Sequence, residues 1–68
     1  MSTSIRNRLP DTIEEIVLDK VMSEVVIRTA AGVVTSIITT GSVQRMNLKE
    51  DDKVFAVIKA TAVSVDKE

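Results

Sequence analysis

The side chains in this sequence that can do chemistry are few, and one of them sits in an unexpected place. Lys59 lies in the run AVIKATAV, residues 56–63, within an apolar stretch covering 54–65. Alternate residues of a strand share a face. Phe55, Val57, Lys59, Thr61, Val63 and Val65 therefore line one side. An ammonium group on a face of Phe and Val needs an acid, open water or a bound anion, because an unpaired buried charge is costly. Other anion-friendly groups are Arg6, in a segment with Ser4 and Asn7, and Thr39 and Ser42, which flank the start of a short helix. Arginine offers a planar fork of donors, lysine a mobile point charge and hydroxyls adaptable donors. Unpaired N–H groups at a helix start carry partial positive charge. Brought together, these groups can coordinate a tetrahedral dianion, with one Arg and one Lys balancing its charge. Each also has a plain alternative. Lys59 can snorkel to solvent or pair with an acid such as Glu24, Arg6 can be an exposed terminal residue, and Thr39 and Ser42 can simply cap a helix.

The missing residue types exclude much else. Cysteine and histidine are both absent, which removes disulfides, thiolate metal sites, the commonest metal ligand and the commonest catalytic base. Most acids sit in turns or near the ends: Asp11, Asp19, Asp51, Asp52, Asp66 and Glu68. Glu14 and Glu15 are adjacent, so on a strand they face opposite ways, and nothing nominates a two-carboxylate hydrolase. The expectation is a protein that is not an enzyme. Glu50-Asp51-Asp52 is a carboxylate run open to Mg²⁺ or Ca²⁺, but its spacing is not that of an EF-hand. The net charge is −1, the nine basic residues are scattered, and Phe55 is the sole aromatic. This is a poor basis for nucleic-acid binding, which combines basic grooves with stacking platforms. No apolar run approaches the roughly 20 residues of a membrane span, and the start lacks a signal-peptide pattern. A cytoplasmic protein is expected.

The elements that must position these groups follow from the hydrophobic pattern. The chain has 68 residues, enough for one domain, 1–68, and 44% of them are apolar. So much aliphatic surface in so short a chain, without disulfide or metal staples, predicts a homo-oligomer. Residues 4–9 form an extended leading segment ending at Pro10, with Ser4, Arg6 and Arg8 on one face. Residues 12–18 fit a helix by the spacing of Ile13, Ile16 and Val17, yet their β-branched content favours a strand. A strand within 21–29, a turn at Ala30-Ala31-Gly32 and a strand over 33–39 make a hairpin. Residues 40–46 break the strand pattern: hydroxyls and a glycine precede one or two turns of helix, with Val43 and Met46 at i,i+3 and N-caps on offer from Thr39 to Gly41. Residues 48–53 form a solvated, charged turn, and a last long strand bends near Ala60. Short strands with a helix between the third and fourth predict an all-β, OB-like small barrel.

The motifs SIRN at 4–7, TSIIT at 35–39, ITTGSV at 38–43, MNLK at 46–49 and AVIKAT at 56–61 resemble the Mop, or molbindin, family over essentially the whole chain. The resemblance implies a free-standing Mop domain. It implies an OB-like barrel whose strands are shared between subunits, assembled as a hexamer built as a trimer of dimers. It also implies storage and buffering of molybdate or tungstate in the cytoplasm. The ligand would be held at subunit interfaces by hydrogen bonds and charge, without direct metal ligands or an organic cofactor. Carried over by motif, Ser4, Arg6 and Asn7 match the N-terminal site element, Thr39 and Ser42 the hydroxyl pair, and Lys59 with Ala60 the I-K-A element. Arg6 and Lys59 would be pooled from neighbouring subunits. Three departures stand out: Ile5 where Ala is usual, Pro10-Asp11 for a Lys-Gly turn, and Asp51 for a frequent Gly. Readings outside the family are a regulatory or oligomerisation module with a protein partner, and an OB-like nucleic-acid binder.

Overall fold

The computed structural model describes residues 6–67. The order is β1 (Arg6–Val17), β2 (Met22–Thr29), β3 (Gly32–Thr39), helix α1 (Thr40–Met46) and β4 (Lys53–Lys59), followed by a 3₁₀ turn, Ala60–Ala62. The strands form one curled antiparallel sheet in the order β3-β2-β1-β4. The expected all-β, OB-like architecture with one short helix is present as a half-barrel, with β3 and β4 as its open edges.

β1 resolves the ambiguity over residues 12–18 and shows why it existed. Its first half pairs with β4, from Arg6↔Lys59 to Thr12↔Lys53. Its second half pairs with β2, from Thr12↔Arg28 to Val17↔Glu24, with a β-bulge between Ile13 and Glu15. The extra residue, Glu14, shifts the alternation by one. Ile13, 1% exposed, and Ile16 can therefore both pack into the core at a helix-like i,i+3 spacing. Glu14 and Glu15 are both exposed, contrary to simple alternation. Glu14 forms an ion pair with Arg28. Pro10 does not end the leading segment. It lies where β1 has β4 on one side and its pairing to β2 has not yet begun, a position that tolerates a missing N–H.

The core is small: Ile13, Val25, Ile27, Val43 and Ala56 are buried, with Leu9, Ile16, Val34, Ile38, Leu48 and Val54 packed around them. α1 contributes Val43, whereas Met46 is 57% exposed and does not share its burial. An apolar groove of about 370 Å³ runs along the sheet, lined by residues such as Ile27, Ile38, Leu48 and Val54. β2 and β3 form the expected hairpin around Ala30-Ala31. Neither alanine has positive φ; Gly32, at φ 125°, takes the strained position.

Residues 48–53 are more than a solvated turn. Leu48 packs on the core. Ile13 N–H donates to Asp52 O and Asp51 N–H to Ile13 O, tying the turn to β1 beside the bulge. Asp51 has φ 71°, in the left-handed region. Glycine takes such a φ most readily, and aspartate is among the residues that tolerate it. Among the described residues no group of three or more acids can hold a metal ion. Within the turn, the Asp52 carboxylate instead accepts the Lys49 N–H. The last strand is shorter than the sequence suggests. β4 ends at Lys59, where its pairing partner is Arg6, and Ala60–Ala62 turns away. Thr61, Val63 and Val65 therefore leave the face that carries Lys59.

Candidate functional site

The register of β1 against β4 sets Arg6 directly opposite Lys59. Residues opposite each other in an antiparallel pair project to the same face, with Cβ atoms about 5 Å apart. Arg8 and Val57 come next, then Pro10 and Phe55. The Arg8 guanidinium lies 4.2 Å from the Phe55 ring centroid, a cation–π contact. Two cations held opposite each other repel, and an anion placed between them removes that repulsion. The face is not buried within the chain: Phe55 and Val57 are each 52% exposed, and Lys59 is exposed. Pairing of Lys59 with Glu24 is excluded by register, because Glu24 lies opposite Val17 at the other end of β1. The Arg6–Lys59 pair is assembled within one chain, not from two.

The second group of polar side chains sits where β3 passes into α1. Thr39 caps the helix: its Oγ1 accepts the Ser42 N–H at 3.1 Å and its hydroxyl donates to Ser42 Oγ at 2.8 Å. Arg45 Nη2 donates to the same Ser42 Oγ at 3.0 Å. A Cβ at Gly41 would lie 3.4 Å from Arg45 Nη1, an ordinary van der Waals contact. The segment is anchored from below. Thr40 Oγ1 donates to Asp19 O at 2.6 Å, so the Ser23 hydroxyl, also 2.6 Å away, is left to donate to Thr40 Oγ1. Thr40 N–H donates to Val21 O. Ser23 and Thr40 are buried, and their mutual satisfaction fixes where Thr39 and Ser42 stand.

These two groups lie at opposite ends of β1. Arg6 is its first described residue; Thr39 pairs with Met22, beyond the Val17↔Glu24 pair at the strand's far end. β1 has 12 residues, and a strand rises ~3.3 Å per residue. One chain therefore joins Arg6 with Lys59 and Thr39 with Ser42, but does not join the two pairs. Asn7 is exposed on the face of β1 opposite to Arg6, across from Ile58. Ala60 follows Lys59 and opens the 3₁₀ turn, its carbonyl accepting the Val63 N–H. Ser4 and Ile5 lie outside the described residues. Sequence reasoning did not single out Arg45. Its signal was the i,i+3 spacing from Ser42 on a helix, which puts the two side chains on one face.

A half-barrel that presents a cationic strand pair at one end and a capped hydroxyl pair at the other has the architecture of small OB-like binding domains. The sequence matches the TOBE domain model over residues 3–65, and the chain belongs to the TOBE domain family. It is 39% identical over 66 residues, 96% of this chain and 97% of the relative, to molybdenum-pterin-binding protein 3 of Clostridium pasteurianum. Among solved structures it is similar to a molybdate-binding protein from Sporomusa ovata, with a TM-score of 0.89, 39% identity, and coverage of 98% of this chain and 100% of that one. It is also similar to the cytoplasmic molybdate-binding protein ModG with molybdate bound, with a TM-score of 0.81, 33% identity, and coverage of 91% of this chain and 45% of that one. The resemblance to Mop proteins read from the sequence is thus borne out. No described helix is long and apolar enough to cross a membrane.

Proposed function

We propose that this protein is a non-enzymatic binder of molybdate or tungstate that stores and buffers the oxyanion in the cytoplasm as a single Mop domain, 1–68. The observation that carries this reading is the Arg6↔Lys59 register. It sets an arginine and a lysine on the same face, suited to a tetraoxo dianion. Each charge-assisted hydrogen bond to such an anion contributes ~1.5–3 kcal/mol. The molybdate-binding relatives described above support the choice of ligand. Ser4 and the backbone about Asn7 and Ala60 complete the cationic half, and Thr39 and Ser42 form the hydroxyl half, Thr39 donating to Ser42 and leaving the Ser42 proton for the anion.

Because one chain keeps the two halves at opposite ends of β1, a complete site forms when the Thr39–Ser42 end of one copy meets the Arg6–Lys59 end of another. Exposed Val57 and Val63, 52% and 51%, are then covered at that interface. Strands shared across the open edges of β3 and β4 close the barrel, and a hexamer arranged as a trimer of dimers satisfies both requirements. Titration calorimetry with molybdate, with sulfate as control, tests the reading. Saturable binding at micromolar molybdate is expected, with oxyanion mass added to an oligomer in native mass spectrometry. Absence of saturable binding refutes it, and an oligomer that takes up no oxyanion favours a regulatory module with a protein partner.

A further inference from the structure

The geometry around Arg8 points to a restraint on the anion site: Phe55 holds a third cation, Arg8, away from the Arg6–Lys59 pair, and so lowers the affinity for the anion. This rests on the oxyanion-binding reading above. Arg8 stands opposite Val57, on the face that carries Arg6 and Lys59. Its diagonal neighbours across the strand pair are therefore Lys59 on one side and Phe55 on the other. Diagonal neighbours lie about 7–8 Å apart, within reach of a long side chain. Arg6 is two residues away on β1 itself, ~6.6 Å along the strand. The Arg8 guanidinium can thus lean toward the cationic pair or toward the ring. It lies over the ring, 4.2 Å from the centroid. Among the described residues no acid pairs with it.

Two forces favour the ring side. Arg6 and Lys59 repel a third cation, and the ring quadrupole attracts it. A dianion seated between Arg6 and Lys59 offsets the first force and offers the guanidinium anionic oxygens to donate to. The second force remains, so Phe55 competes with the anion for Arg8. Both side chains are exposed, and a cation–π contact at an exposed site corresponds to about a two- to fivefold preference. A ligand shifts an equilibrium only by its differential affinity for the two states. The ring therefore lowers anion affinity by at most that factor, whether Arg8 leaves it on binding or stays. Phe55 acts here through Arg8; it is a positioning residue that does not touch the anion.

The test is a cycle of wild type, Phe55→Leu, Arg8→Gln and the double variant, with Phe55→Tyr as a variant that keeps the ring. Leucine retains an apolar side chain but has no π face, and glutamine removes the charge. Molybdate is titrated calorimetrically against each at one protein concentration. Phe55→Leu is expected to bind molybdate about two- to fivefold tighter than wild type. In the Arg8→Gln background the same replacement is expected to change nothing, and Phe55→Tyr is expected to bind as wild type does. An unchanged or weaker affinity in Phe55→Leu overturns the proposal, as does a gain that persists without Arg8 or one that appears in Phe55→Tyr. Phe55 also lines the apolar groove; a purely structural role there would move both Arg8 backgrounds alike, which overturns the proposal too. A wild-type protein that binds no molybdate refutes the oxyanion-binding reading, and this inference with it. A wild type that binds molybdate, without an Arg8-dependent gain in Phe55→Leu, refutes only this inference.

Discussion

Replacing Thr40 by valine keeps its shape and removes one oxygen. That oxygen lies 2.6 Å from both Ser23 Oγ and Asp19 O, so two hydrogen bonds are lost. Each contributes about 1 kcal/mol net. Ser23, 2% exposed, is left with a buried hydroxyl that water does not reach, which adds to the cost. Together these give about 2–3 kcal/mol of destabilisation. Ser23→Ala costs less, about 1 kcal/mol, because Thr40 keeps its bond to Asp19. The double variant has no orphaned Ser23 hydroxyl and is expected to be more stable than the sum of the single losses implies, with about 1 kcal/mol of coupling. Urea unfolding followed by circular dichroism measures all four species. Protein concentration must be held constant, since self-association shifts the midpoint. With a slope near 1 kcal/mol/M for so small a domain, Thr40→Val moves the midpoint down by roughly 2 M. Strict additivity of the two substitutions, or a loss under about 0.5 kcal/mol for Thr40→Val, would refute the claim that these hydroxyls form one buried unit anchoring the Thr39–Ser42 segment.

Lys59→Ala removes half of the charge opposed to the dianion and is expected to weaken molybdate binding 10- to 100-fold; calorimetry that finds unchanged affinity removes Lys59 from the site. Deleting Glu14 abolishes the bulge yet keeps Ile16 opposite Val25 and inward, so it should cost under about 1 kcal/mol, seen as a small drop of the urea midpoint; a loss above about 2 kcal/mol would refute the assignment of Glu14 as the extra residue. Asn47 caps α1 at φ 53°. Asn47→Val should cost ~1–2 kcal/mol in urea unfolding and Asn47→Gly almost nothing; equal losses would show that the left-handed backbone is not what asparagine is there to supply.

Much of the architecture was legible in residue order. β2, β3 and the hairpin between them follow from alternation and from Ala30-Ala31-Gly32. α1 follows from the capping hydroxyls and Val43. One ambiguity and one misreading share a cause. The helix-like spacing of Ile13 and Ile16 was produced by a bulge, and the apparent strand past Lys59 was cut short where pairing with β1 ends. Local periodicity reports which residues are apolar, not where a partner strand begins or stops.

The candidate site divides along the same line. By itself, the sequence determined the chemical inventory: no histidine or cysteine, two hydroxyls at a helix start, and an arginine and a lysine near opposite ends of the chain. Those are properties of residue type and near-neighbour spacing, and they point to an anion. Tertiary structure alone decided that Arg6 faces Lys59 within one chain, that Thr39 and Ser42 stand at the far end of β1, and that Arg45 reaches Ser42. Strand register is set by packing summed along the whole sheet, and side-chain reach by the rotamers that packing leaves open. Neither is written in any short stretch of residues.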